Sequence, residues 1–208
     1  LDQMTDEKAL ACIERRPLSW SASVRTAELV VATLVLVVSL PVTLLAALAI
    51  FLEDGSPIFY AHDRVGKNRR TFRMYKFRSM RKDAEKNGVQ WAAKDDDRVT
   101  RVGRVLRKTH IDEIPQMWNI IRGDLALIGP RAERPEFVEI LEKEISYYYL
   151  RHIVRPGFTG WAQIKYRYAR TIDDSREKFE YDLFYIKHRN ALLDLGIVVK
   201  TVQIIFTH

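Results

Sequence analysis

Two adjacent carboxylates, Asp112 and Glu113, lie in the stretch Arg107-Lys-Thr-His-Ile-Asp-Glu-Ile-Pro-Gln116, with Arg107 and Lys108 before them and Arg122 and Arg131 after them. An acidic pair in so basic a setting has two readings. A carboxylate held among cations stays ionised and can attack phosphorus. The same Asp112 can instead cap a helix running through Gln116, Met117, Trp118, Asn119, Ile120 and Ile121, with Pro115 tolerated in the first turn and the helix dipole favouring the anion. The local pattern leaves both readings open.

Cations that could serve such a site recur in three other stretches. Residues 58–65 and 71–79 are rich in β-formers and are separated by a Gly66 and Asn68 turn, which predicts a hairpin. Its second run sets Arg73, Lys76 and Arg78 among aromatics; such a strand could present cations to phosphate or lipid headgroups, or simply face solvent. Residues 119–131 turn tightly at Gly123 and again at Gly129-Pro130, so Arg131 projects from a fixed turn. Arg151-His-Ile-Val-Arg-Pro-Gly-Phe-Thr-Gly-Trp-Ala-Gln163, punctuated by Gly and Pro and carrying Arg151 and Arg155, has a composition suited to binding phosphate and base. His152 alone is more often a structural hydrogen-bonder, and it receives no role.

The elements that must hold these residues are constrained by composition. The 208 residues are 47% hydrophobic, enough for one good core. A net charge of +7 implies acidic partners, which could be nucleic acid, nucleotide or anionic lipid. The single Cys12 excludes an intramolecular disulfide and permits a reducing compartment. The chain begins at Leu1, as expected of a piece of a longer protein. There is no internal repeat, no Walker or dinucleotide glycine fingerprint and no Cys/His metal spacing.

Residues 29–52 form an uncharged apolar run long enough to cross a bilayer, and no cleavage site marks it as a signal peptide. Pro41 sits in its middle and should kink the helix. Arg15, Arg16 and Arg25 precede the run and Arg64, Lys67, Arg69 and Arg70 follow it, which favours both ends on the cytoplasmic side and hence a re-entrant hairpin. A kinked span through the bilayer is the alternative. Residues 81–100 read as an exposed charged loop, and 135–149 as a helix with Phe137, Ile140, Leu141 and Ile145 on its apolar face. Tyr147, Tyr148, Tyr149, Trp161, Tyr166 and Tyr168 are interfacial anchors or core. The tail from 179 to 206 turns apolar and is expected to dock on the domain or lie in the membrane interface.

Together, the apolar segment with its proline, Tyr75-Lys-Phe-Arg-Ser-Met80, Ile111-Asp-Glu-Ile-Pro-Gln116, Arg122-Gly-Asp-Leu-Ala-Leu-Ile-Gly-Pro-Arg131, the 151–163 stretch and Tyr181-Asp-Leu-Phe-Tyr-Ile-Lys187 resemble the bacterial sugar transferase family, the monotopic phosphoglycosyl transferases. The likeness runs from about Arg25 to Phe206 and is greatest to members that start exopolysaccharide or O-antigen assembly. It implies an α/β fold: a small membrane-associated domain with an N-terminal re-entrant helix hairpin, a short β-hairpin and surrounding amphipathic helices. Residues 1–23 would be a basic flank, 24–52 the re-entrant helix and 53–208 the catalytic domain. The break would fall at Ser39 and Pro41, where the family commonly has Ser-Pro.

The resemblance also implies a reaction. Such enzymes move a sugar phosphate from a UDP-sugar to undecaprenyl phosphate at the cytoplasmic face of the bacterial inner membrane, releasing UMP and using Mg²⁺. Asp112 then corresponds to the nucleophile that forms a phosphosugar aspartyl intermediate, and Glu113 to its dyad partner. Magnesium would act at Asp112. Arg107 and Arg131 would bind phosphate, with Lys76 and Arg155 added to the substrate site. The expected partners are UDP-sugar, undecaprenyl phosphate and membrane lipid, with a homodimer allowed and no nucleic acid. A membrane-tethered nucleic-acid binder would account for the charge but leave Asp112-Glu113 and Gly129-Pro130-Arg131 without purpose. A scaffold with the dyad as a helix cap is the third reading. No motif names the sugar.

Overall fold

The structure is a computed structural model describing residues 18–84, 86, 96–166 and 171–207, so Cys12, Arg15, Arg16 and Tyr168 lie outside the described residues. It opens with helices α1 (Leu18–Val38) and α2 (Leu40–Asp54). The two are bent by 59° at a break at Ser39. Pro41 stands in the first turn of α2, where it cannot donate to the preceding turn and its ring would collide with the carbonyl four residues back in a straight helix. The Ser39 hydroxyl bonds Leu36 O at 3.4 Å, and Thr43 Oγ1 bonds Leu40 O at 2.9 Å, so side chains serve carbonyls on both sides of the break. No single described helix is long and apolar enough to cross a membrane; the bent pair together is. Its outer face leaves large side chains bare, including Leu34, Val38, Leu44, Leu45 and Leu52.

The helix α1 starts well before the apolar run expected at residues 29–52. Its first half carries Arg25 and Glu28, three residues apart and therefore neighbours on one face. Glu28 is 3% exposed, so this polar end is built into the domain.

Strands β1 (Phe59–Val65) and β2 (Thr71–Phe77) form the expected antiparallel hairpin, pairing Tyr60 with Lys76, His62 with Met74 and Arg64 with Phe72. Alternation therefore puts Tyr60, His62, Arg64 and Lys76 on one face. A second sheet pairs β3 (Ala126–Ile128) in parallel with β4 (Gly157–Thr159). The backbones meet so closely that a Cβ on Gly157 would sit 2.0 Å from Gly129 N, which only glycine avoids.

Helices α3 (Arg101–Lys108) and α4 (Gln116–Arg122) come between the hairpin and β3, α5 (Pro135–Glu144) between β3 and β4, and α6 (Trp161–Lys165), α7 (Ile172–His188) and α8 (Ala191–Phe206) follow β4. Helix α5 stops short of the expected 135–149: Ile145 turns extended while staying buried, and residues 148–153 form a 3₁₀ turn. Residues 81–100 are not all exposed loop. Val99 is buried and bridges Met80, and Asp96 receives the fork of Arg98 at 2.7 and 2.6 Å. Tyr148 is core, its ring tilted against that of Phe179.

Three apolar clusters hold the molecule. Met74, Met117, Ile120 and Leu125 pack on Ala32 of α1, and Phe77 and Leu106 pack on Ala46 and Ile50 of α2. Val65, Val138, Leu141, Ile145 and Phe179 form the third, on the far side of the hairpin. The bent pair is thus seated on the same hairpin and helices that carry the acidic pair.

Candidate functional site

Asp112 and Glu113 occupy a 3₁₀ turn, Ile111–Glu113, between α3 and α4. His110 takes a left-handed conformation (φ 56°) that ends the preceding helical run. The capping expected of Asp112 is corrected by this turn: Pro115 holds the cap position of α4, and no side chain caps it. Glu113 N instead donates to His110 O at 3.1 Å, and Ile114 N to Ile111 O at 3.2 Å. Proline at the start of α4 and an intervening tight turn leave the Asp112 carboxylate free of backbone duty.

Both carboxylates line a cavity of about 1110 Å³, together with Lys76, Arg107 and Arg131. Lys76, from β2, donates to Glu113 Oε1 at 2.5 Å. Arg107 lies in the last turn of α3, and its Nε donates to Ser79 Oγ at 2.9 Å. That contact needs α3 close against the strand end: a Cβ on Gly103 would sit 2.0 Å from Ser79 O. Thr100 caps α3 by accepting from Gly103 N.

The Arg131 turn is fixed by four hydrogen bonds. Pro130 O accepts from Gly157 N at 2.8 Å, Arg131 O from Arg151 Nη2 at 2.8 Å, Ala132 O from Arg64 Nη1 at 2.9 Å and Glu133 O from Val65 N at 2.9 Å. Four successive carbonyls are thus anchored by three elements: β4, the 148–153 turn and β1. Among the described residues, neither the Arg131 guanidinium nor the Asp112 carboxylate makes a side-chain hydrogen bond.

Burial separates the two acids. It raises the Asp112 pKa above the usual aspartate value; Lys76 and Arg107 oppose this, Glu113 adds to it, and the net shift is upward. Glu113 is also pushed up by burial, but Lys76 and Arg131 outweigh that and hold it at about 2. The sequence expectation that cations keep both ionised therefore holds differently for each: Glu113 is a committed anion, while Asp112 is a more basic carboxylate.

The hairpin contributes residues that the sequence reading passed over. Tyr60, His62 and Arg64 line the cavity on the Lys76 face. His62 is held neutral, with a pKa of about 2, by burial and then by Arg64 and Arg134. Its Nε2 accepts from Arg64 Nε at 2.7 Å. The alternation of β1 opposite Lys76 was the signal available for finding them. Arg151 was read only as a loop cation; it is buried against Asp182 at 2.8 Å and holds the Arg131 carbonyl.

Arg155 is not brought to the dyad. Its Nη2 binds Glu28 Oε2 at 2.9 Å, and it does not line the cavity. Arg122 likewise pairs with Asp124 at 3.4 Å, away from the cavity. Ser39 and Pro41 lie at the helix break as expected. Among the described residues no group of three His, Cys, Asp or Glu side chains could hold a metal ion. Mg²⁺ commonly uses one or two carboxylates and completes its shell with substrate phosphates and water. The Asp112–Glu113 pair beside an open cavity fits that donor set.

A family model described as bacterial sugar transferase matches residues 20–208. The chain is 50% identical over 167 residues to a protein of Aeromonas hydrophila named UDP-N-acetylgalactosamine-undecaprenyl-phosphate N-acetylgalactosaminephosphotransferase, covering 80% of this chain and 40% of that one. It is 36% identical over 203 residues to the undecaprenyl-phosphate glucose phosphotransferase of Komagataeibacter xylinus, covering 94% of this chain and 38% of that one. A UDP-glucose:undecaprenyl-phosphate glucose-1-phosphate transferase of Caulobacter vibrioides is 37% identical over 185 residues, 88% of this chain and 69% of that one. The chain thus spans well under half of the first two relatives.

Proposed function

Because the chain belongs to the bacterial sugar transferase family, we propose that it transfers a sugar 1-phosphate from a UDP-sugar to undecaprenyl phosphate through a covalent intermediate on Asp112. The observation that carries this reading is the unbonded, buried Asp112 carboxylate beside the Glu113–Lys76 pair, in a cavity also lined by Arg107 and Arg131. An Asp112 oxygen attacks the β-phosphorus, the bond from that phosphorus to the bridging oxygen breaks, and UMP leaves with the electron pair. A phosphate oxygen of the lipid then attacks the same phosphorus and releases Asp112. No net proton is consumed.

The burial that raises the Asp112 pKa makes its anion a better nucleophile than an exposed aspartate. Arg131, on its anchored turn, offers two parallel donors to a diphosphate. Arg107, already oriented by Ser79, supplies a second cation. Glu113 holds Lys76 in place beside the nucleophile. Mg²⁺, held by Asp112 and Glu113, would offset charge on the diphosphate. The bent helices α1 and α2 are read as a re-entrant hairpin in the inner membrane, with the dyad at the cytoplasmic face. Irregular backbone at the Ser39 break is tolerable in lipid when the protein itself satisfies it.

The test is incubation of purified protein with a UDP-sugar panel that includes UDP-glucose and UDP-N-acetylgalactosamine, without lipid acceptor. Stoichiometric UMP and a mass increase of one phosphosugar on the peptide containing Asp112 are expected. UMP release that requires the acceptor, with no adduct, would overturn the covalent route.

A further inference from the structure

We propose that the C-terminal helix α8 forms the lipid-side wall of the catalytic cavity and receives the apolar chain of the polyprenyl acceptor; this rests on the function proposed above. The cavity that holds Asp112 and Glu113 is also lined by Phe158, Ile164, Thr201, Ile204 and Ile205, the last three from α8. The same space is therefore lined by both charged and apolar side chains, which matches a ligand with a phosphate head and a hydrocarbon tail. A UDP-sugar has no use for the apolar lining.

Phe158 of β4 packs on the core cluster joined by Leu36 of α1. Beside β4, Thr159 Oγ1 meets Thr201 Oγ1 at 2.7 Å, which fastens α8 to the cavity wall. Strand β4 thus touches α8 directly and shares a core cluster with α1.

The outward side of α8 carries Leu192, Leu195, Val199 and Val202 at helical spacing, with Leu192 82% exposed. The charge within its first turn, Asp194, accepts from Tyr185 Oη at 2.9 Å, which ties that end to α7. One helix thus presents an unpartnered apolar stripe outside and cavity lining inside. A bilayer covering the stripe would deliver a lipid tail to Ile204 and Ile205 without taking it through water.

Two measurements test this on the full chain in nanodiscs. The first compares acceptors of increasing chain length, farnesyl phosphate against undecaprenyl phosphate, for wild type and for the Ile164→Asn/Ile204→Asn variant. Each buried apolar contact with the chain counts toward binding, so the variant should lose about ten-fold or more in kcat/KM for the long acceptor and little for the short one. UMP release from UDP-sugar alone is measured alongside, so that a general loss of the site is told apart from a loss confined to the long acceptor. Equal loss with both acceptors, or loss of UMP release, would mean that α8 serves only structure and would overturn the proposal.

The second measurement needs no turnover. A polyprenyl phosphate with a photoreactive group along its chain should label the 191–207 peptide, and unlabelled undecaprenyl phosphate should compete. Labelling confined to α1 and α2 would overturn the inference while leaving the reaction intact. Absence of UMP release by wild type with every UDP-sugar would instead refute the underlying reaction.

Discussion

Two glutamates that meet cations are set differently: Glu28 is buried away from the cavity, and half-buried Glu113 lines it. Glu28 of α1 has both oxygens occupied: Oε2 accepts from Arg155 at 2.9 Å and Arg25 at 3.3 Å, and Oε1 from Leu127 N at 3.3 Å. Arg25 continues to Ile120 O and Ile121 O at 2.7 and 2.8 Å, the last turn of α4. Glu113 has one strong partner, Lys76, and beside it stands Asp112 with no side-chain hydrogen bond among the described residues. A structural cluster consumes its donors internally, whereas a cluster built for a ligand leaves donors and charge unspent. Sequence displays the charges, but not which of them are already used.

The sharpest test of that contrast is Asp112→Asn. It should lower turnover by more than about 1000-fold, because the covalent route loses its nucleophile. It should not lower stability: an ionised carboxylate is disfavoured at this buried position, so the amide should unfold at a higher temperature than wild type at neutral pH. Loss of turnover together with a lower melting temperature would move Asp112 to the structural class.

Glu28→Gln is the opposite case. The buried carboxylate would lose its charge-assisted bonds to two partly exposed arginines, so stability should fall by about 2 kcal/mol in urea denaturation. Folded variant protein should keep the wild-type KM for UDP-sugar. A stability change under about 0.5 kcal/mol would show that the α1 junction does not depend on this cluster.

Arg155→Ala and Arg131→Lys extend the comparison to two of the arginines that the resemblance assigns to the substrate site. The first should cost about 1 kcal/mol of stability and leave the KM within about two-fold. The second keeps the charge but loses the bidentate fork, and should raise the KM for UDP-sugar by about ten-fold at unchanged stability. Exchange of these outcomes would return Arg155 to the substrate site.

These residues also show where sequence reasoning stops. The hairpin and the break near Pro41 were legible because strand period and proline geometry are local, and the placing of Asp112 and Glu113 in one cavity follows from their adjacency. Arg155 was misplaced because its partner Glu28 lies 127 residues away, a pairing that no local pattern reports. The cap expected of Asp112 failed because proline at 115 could equally start the helix or sit inside its first turn, and the 3₁₀ turn decided. Tyr60, His62 and Arg64 were recoverable in principle, since strand alternation opposite Lys76 puts them on its face. Arg151 was not, because its role depends on a carbonyl twenty residues earlier.

The smallest effect expected is a pH dependence that separates the two acids of the dyad. Glu113 has a folded pKa of about 2, below the ordinary glutamate value of 4.5. It therefore contributes stability that is fully present above 4.5 and is lost as the pH falls toward 2. Asp112 runs the other way. Its folded pKa is raised above 3.8, so its ionised form destabilises the fold at neutral pH, and that penalty disappears as acid protonates it. The stability advantage of Asp112→Asn over wild type should accordingly be greatest at neutral pH and shrink as the pH falls through the raised Asp112 value. The transfer rate of wild type should fall over the same interval, since only the carboxylate attacks. Urea titrations of both proteins at pH 7, 6, 5 and 4, paired with UMP release at each pH, measure the two curves together. A stability difference that stays constant across the series would mean that Asp112 is not held above its ordinary pKa, and burial would then not account for its reactivity.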